Sequence, residues 1–181
     1  MKTKLVIKIS IYVTCAMIAI VFLSSLIWDS INLLKWLSGV ATGANVLVVL
    51  YCKLLWKFHI WKLPLSKTPN LNGEWISSIT YSSGEKITKI KIKQDLFGIQ
   101  VNLESDEIDS VSLVASILEE HGKRYLIYTY TTDPKQEFRD KNPVQWGTAK
   151  IDITDLNDVT GYYWTTRGTQ GSMKMEKVKK Q

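Results

Sequence analysis

The run Ile87-Thr88-Lys89-Ile90-Lys91-Ile92-Lys93 decides how the larger part of this chain folds. Lys89, Lys91 and Lys93 alternate with Ile90 and Ile92, and a period of two sends successive side chains to opposite faces of a strand. One face is charged and wet and the other apolar and buried, as in an antiparallel sheet with a single buried side. The same alternation returns near the other end, where Lys174 and Glu176 interleave with Met173 and Met175.

Outward from that run the pattern predicts eight strands, at 73–82, 86–94, 98–105, 109–120, 123–132, 144–154, 158–166 and 171–178. Turn-forming pairs separate most of them: Ser83-Gly84, Phe97-Gly98, Ser105-Asp106, His121-Gly122, Asn157-Asp158, and Gly168 with Gly171. The one longer connection, 133–143, carries Asp133-Pro134 and Asn142-Pro143. Links this short imply a meander of sequential antiparallel strands. Eight such strands in about 110 residues can close into an up-and-down β-barrel, which removes the exposed edges an open sheet would leave. A barrel of this size either fills with side chains or keeps a cavity for one small ligand.

Upstream of residue 70 the composition changes. No charge falls between Lys8 and Asp29, and the stretch Ile9 to Trp28 has the length of a transmembrane helix. A cleaved signal peptide fits less well, because the apolar run is too long and no small-x-small site precedes Trp28 and Asp29. A second uncharged run, Trp36 to Cys52, lies between Lys35 and Lys53, whose long side chains can snorkel to the headgroups. These runs predict two transmembrane helices in a tight hairpin at 1–62, a Pro64- and Pro69-containing linker at 63–69, and a β domain at 70–181. Lysines crowd the outer ends of the hairpin, so the expected placement is multi-pass in a bacterial inner membrane with both termini cytoplasmic. In the second helix Gly39 and Gly43 have small-xxx-small spacing, fitting either a face for oligomerisation or packing against the first helix. Asn45 beside them needs a hydrogen-bond partner within the chain or across copies.

Much of the formal charge of +6 is accounted for by the lysines around those runs. Lys174, Lys177, Lys179 and Lys180 read as a solvated end, without the interleaved aromatics of a nucleic-acid polymer site. Cys15 and Cys52 lie in apolar stretches and offer neither a disulfide framework nor metal-ligand spacing. His59 and His121 have no evident catalytic partner, and no nucleophile elbow, P-loop or dinucleotide fingerprint occurs. Glu104, Asp106, Glu107 and Asp109 form a turn cluster that reads as solvated. The expectation is a non-enzyme without metal or cofactor.

The strands carry Tyr81, Tyr125, Tyr128, Tyr130, Trp146, Tyr162, Tyr163 and Trp164, with Thr165, Thr166 and Arg167 directly after. Flat rings can stack on a nucleobase, and an arginine with hydroxyls can hold a phosphate; the same rings are also ordinary strand formers that pack cores.

Two passages carry a family resemblance. Pro69-Asn70-Leu71-Asn72-Gly73-Glu74-Trp75 resembles the Gly-x-Trp opening of lipocalin-type barrels. Together with the apolar hairpin, the eight-strand pattern and Gly161-Tyr162-Tyr163-Trp164-Thr165-Thr166-Arg167-Gly168-Thr169 followed by Gly171-Ser172-Met173, the chain resembles the two-transmembrane β-barrel effectors of bacterial CBASS anti-phage systems. The resemblance implies that a partner cyclase makes a cyclic dinucleotide during infection and that the barrel binds it. It further implies that the protein forms a homo-oligomer and that the lipid bilayer of the inner membrane is disrupted, killing the cell. It transfers no ligand contacts. On chemistry alone, the ligand-binding candidates are Tyr163, Thr165 and Arg167, which share a face by the period of two, with Tyr81, Tyr128, Tyr130 and Trp146 as stacking rings. Arg167 is either a phosphate ligand or a lid over Trp75, and Lys89 or Arg124 are candidate second cations. The alternative function is a constitutive membrane-anchored, lipocalin-like binder of an apolar or lipid ligand.

Overall fold

The computed structural model describes residues 2–25, 33–57, 68–82 and 84–178. It divides into two compact units, a helical one and a barrel comprising Pro69–Gln94 with Gly98–Gln181.

The helical unit contains α1 (Lys2–Ser25) and α2 (Leu33–Lys53). Gly43 lets the helices approach, since a Cβ there would touch Met17 at 3.4 Å, and Ile9 clusters with Val48, Cys52 and Trp56. The two transmembrane helices expected from the sequence are corrected: among the described residues, no helix is long and apolar enough to cross a membrane. The uncharged part of α1 begins after Lys8 and the helix ends at Ser25, while that of α2 lies between Lys35 and Lys53. Each falls short of the roughly 20 residues needed at 1.5 Å rise to cover a core of about 30 Å. Leu26–Trp28, which the sequence reading adds to the first span, lie outside the described residues, as do the hairpin turn and most of the linker. An orientation argued from lysines flanking spans has no basis without the spans, so the multi-pass inner-membrane placement with cytoplasmic termini is withdrawn as well.

The barrel is closed and strictly sequential, β1 (Gly73–Tyr81), β2 (Gly84–Gln94), β3 (Ile99–Glu104), β4 (Ile108–Glu120), β5 (Lys123–Pro134), β6 (Trp146–Asp152), β7 (Val159–Thr165) and β8 (Gln170–Lys177), with β8 returning to pair with β1. All pairings are antiparallel, as the short links require. Ile90 and Ile92 are buried while Lys89, Lys91 and Lys93 are exposed, as the alternation of the opening stretch predicts. In β4 a bulge between Ser112 and Val114 resets the alternation, so that Ile117 is buried and Leu118 exposed.

One end of the barrel is plugged. Trp75, Ile90, Ile92, Leu126, Ile151, Ile153, Val159 and Met175 form an apolar core beneath Leu71. The entering segment is tied down by Gln94, whose Oε1 accepts from Leu71 N at 2.7 Å and whose Nε2 donates to Pro69 O at 3.0 Å. Asn72 completes the clasp, donating to Gln94 O and accepting from Gln94 N, both at 2.6 Å. Gly73, at φ +124°, turns the chain into β1 in a conformation that favours glycine. Trp75 then donates its indole N–H to Leu71 O at 2.9 Å. The Gly-x-Trp opening thus has a physical role, which is to stopper the barrel.

Candidate functional site

Because the apolar plug occupies only one end, the other end is open. The β1–β2, β3–β4, β5–β6 and β7–β8 connections surround a cavity of about 600 Å³. Its wall is polar and aromatic, with the phenols of Tyr81, Tyr128, Tyr130 and Tyr163, the hydroxyls of Thr88, Ser110, Thr132 and Thr165, and the side chains of Asn142, Gln145 and Gln170. Ile79, Leu103, Ile108 and Met173 add apolar patches.

The period of two explains why these residues gather. On β5, Leu126, Tyr128, Tyr130 and Thr132 point inward, the first to the plug and the rest to the cavity. On β7, Tyr163 and Thr165 face in while Tyr162 and Trp164 stack on each other outside, ring centroids 5.7 Å apart. Two glycines seat the rings. A Cβ on Gly147, the cross-strand partner of Tyr130, would collide with the Tyr130 ring. A Cβ on Gly171, opposite Tyr163, would collide with Thr80 O and come within 2.8 Å of Tyr163 Cε1. Tyr128 and Tyr130 lie side by side with centroids 5.8 Å apart and planes tilted by 45°.

Burial, reinforced by the neighbouring Tyr163, pushes the Tyr130 phenol up to about 12. Tyr128 is raised further by burial and by Tyr130, and Tyr163 is raised by burial and by Tyr81. All three are hydrogen-bond donors at neutral pH, suited to anionic oxygens. Thr132 holds the opposite rim by accepting from Gln145 N at 2.9 Å, which positions the Gln145 side chain; its Oε1 is buried and has no hydrogen-bond partner among the described residues. At the β7–β8 turn, Gly168 (φ +76°) lets Thr165 and Thr169 pair through their hydroxyls.

The candidates read from the sequence are distributed as follows. Tyr81, Tyr128, Tyr130, Tyr163 and Thr165 line the cavity together. Trp146 is on the outer wall, 59% exposed, because the even-numbered positions of β6 face out. Arg167 lies beyond the end of β7, in the exposed turn, where strand alternation no longer dictates its direction. Nor does it cover Trp75. That lid is Lys177, whose Nζ sits 5.4 Å from the Trp75 ring centroid and donates to Asn70 O at 3.1 Å, so Lys177 is more than part of a solvated end. Lys89 faces solvent, and Arg124 belongs to the plugged end, beside Thr154. In α2, Gly43 faces Met17 of the same chain, Gly39 has nothing within 4 Å of a Cβ position among the described residues, and Asn45 donates to Ala41 O of its own helix at 2.8 Å. His59 is outside the described residues.

Sequence reasoning missed Lys86 and Glu107, the charged pair at the cavity wall, 3.1 Å apart. Counting back by twos from buried Ile90 places Thr88 and Lys86 on the inner face, so the signal for Lys86 was present in β2. Glu107 was counted into a solvated cluster because nothing local shows that its turn folds over the barrel mouth.

Comparison with known proteins adds two findings. A family model described as Cap15, cyclic dinucleotide receptor domain, matches residues 66–177. A curated relative, CD-NTase-associated protein 15 of Staphylococcus schleiferi, is 34% identical over 163 residues, covering 88% of each chain.

Proposed function

The chain belongs to the Cap15 cyclic dinucleotide receptor family, and from that premise we propose that it is a CBASS anti-phage effector whose barrel binds a cyclic dinucleotide in the open-ended cavity. The observation that carries the reading is the wall of that cavity, where four phenols and several hydroxyls converge beside one lysine. Bases can stack on such rings, and phosphate oxygens can accept from the phenols, hydroxyls and ammonium. A volume of about 600 Å³ is in the range of small-molecule sites, roughly 300–1,000 Å³. An aliphatic wall would have supported the alternative of a lipid binder; the polar and aromatic one favours the nucleotide. The match to a receptor domain supports the reading of a sensor rather than an enzyme.

The later steps of the proposal are ligand-driven assembly into a homo-oligomer and bilayer damage that kills the infected cell, with a partner cyclase as the source of the signal. Exposed Ile11, Ile18, Ile20, Phe22 and Leu23 on α1, with Val46, Leu47, Val49 and Leu50 on α2, support this role for the helical unit, because so much exposed apolar surface marks an interaction face. Driving a mostly resting population to a mostly assembled one requires the ligand to favour the assembled form by on the order of 5 kcal/mol.

The test is thermal unfolding of the full chain against a panel of cyclic dinucleotides covering the purine and pyrimidine combinations. A rise in midpoint with a cyclic compound, absent with its linear counterpart, is expected; no rise with any of them would refute the sensor reading. Sedimentation and dye release from vesicles, with and without the active compound, then test assembly and bilayer damage separately.

A further inference from the structure

We propose that Lys86 is the cation that receives a ligand phosphate and that Glu107 is its resident competitor, so that ligand entry exchanges one ion pair for another. The proposal rests on the cyclic dinucleotide reading above and goes beyond it by naming the electrostatic gate of the site.

Lys86 and Glu107 are the charged side chains among those lining the cavity, and they are paired with each other, Nζ to Oε2, at 3.1 Å. Before ligand arrives the wall is therefore close to neutral. A cyclic dinucleotide brings two phosphodiester charges. If Glu107 stayed in place, three negative charges would share one ammonium, an arrangement opposed by like-charge repulsion. Either Glu107 leaves or Lys86 is not used.

Geometry favours departure of the carboxylate. Lys86 is held on the inner face of β2, opposite Ile79 of β1, and its side chain is 26% exposed. Glu107 stands in the β3–β4 turn with its side chain 43% exposed, so rotation about its side-chain bonds returns the carboxylate to water. The backbone need not follow. Glu107 O accepts from Lys135 N at 2.9 Å, Ser105 Oγ accepts from Ile108 N at 3.1 Å, and Lys135 Nζ donates to Ser105 O at 2.7 Å, which together fix the turn. A partly exposed ion pair is weakly held, whereas a phosphate surrounded by phenols and hydroxyls offers the ammonium several strengthened hydrogen bonds. The pair also supplies selectivity: a neutral ligand gains nothing by breaking it, so Glu107 screens the cavity against uncharged occupants.

The experiment is calorimetric titration of the full chain with the cyclic dinucleotide that gives the largest thermal shift, for wild type, Glu107→Gln, Lys86→Gln, Lys86→Arg and the Lys86→Gln/Glu107→Gln double variant. Glu107→Gln is expected to tighten binding several-fold, because the competitor and its repulsion are both removed. Lys86→Gln is expected to weaken binding by about tenfold or more, and Lys86→Arg to restore most of it. In the double variant the part of the gain that comes from freeing Lys86 should vanish and only relief of the carboxylate–phosphate repulsion should remain, so the two substitutions should be non-additive. Outward-facing Lys89→Gln serves as the charge control and should leave affinity within about twofold. Unchanged or weaker binding by Glu107→Gln, or indifference to Lys86→Gln in a protein whose ligand-free unfolding midpoint matches wild type, overturns the exchange while leaving the sensor reading standing. Failure of wild type to bind any compound of the panel overturns both.

Discussion

At Gly147 and Gly171 the absence of a side chain is what gives the cavity its shape. Tyr130 and Tyr163 lie over these glycines across the strand pairs, and any Cβ would strike the ring or the facing carbonyl. Gly147→Ala should cost about 1–3 kcal/mol in denaturant unfolding, because the ring must leave its seat in a closed barrel. It should also reduce the thermal shift given by the ligand, since the displaced phenol narrows the cavity. The phenols set an alkaline limit as well. The folded-state value of Tyr130 is raised from 10.0 to about 12, and Tyr128 and Tyr163 move in the same direction. The folded protein therefore holds these protons more tightly than the unfolded chain, so their contribution is complete below pH 10 and is lost as pH climbs toward 12. Lys177, lowered by burial, acts in the opposite sense, favouring the fold as pH rises toward the ordinary lysine range. Phenolate absorbance during alkaline titration should show a late group of tyrosines whose ionisation coincides with loss of structure. A single early transition for every tyrosine would contradict the buried cluster.

Single strands show where local patterning is reliable and where it stops. β2 carries the clearest signal in the chain, and reading it by twos places Ile90 and Ile92 in the plug and Lys86 and Thr88 at the cavity. β4 does not obey simple counting. Its bulge inserts Leu113 between the pairs Ser112↔Tyr130 and Val114↔Thr129, after which odd rather than even positions face inward. Ile117→Ala should consequently cost about 2–5 kcal/mol, as for other buried aliphatics. Leu118→Ala, one residue away, should stay within about 0.5 kcal/mol, and urea unfolding of the two variants measures the difference directly. The entering segment gives a second element-level prediction. Gln94→Ala removes the partners of Leu71 N and Pro69 O and should destabilise the barrel by about 1–3 kcal/mol, with amide exchange accelerated first at residues 70–73.

For the whole molecule, a plug at one end and a polar mouth at the other leave the barrel cavity accessible from one side only. A ligand present at about 100 times its dissociation constant should stabilise the full chain by roughly 2.7 kcal/mol, readable as a rise in the unfolding midpoint. Strand number, strand order and barrel closure were legible in the sequence, because alternation, turn residues and short links are local properties of the chain. The family was legible as well, through the same opening motif and the β7–β8 segment. Five of the seven candidate residues line the cavity for the same reason, as inward positions on strands. Trp146 lies on the outer wall and Arg167 beyond the end of β7, because composition marks a residue as able to bind but does not say which wall it faces or whether its strand has already ended. The membrane reading failed on length, since a run of uncharged letters does not reveal where a helix stops. What only the tertiary structure decided was the meeting of distant residues: Lys177 over Trp75, and Lys86 of β2 against Glu107 of the β3–β4 turn. Such pairs depend on barrel register and turn direction, which are global consequences of closing eight strands and leave no periodic trace in the sequence.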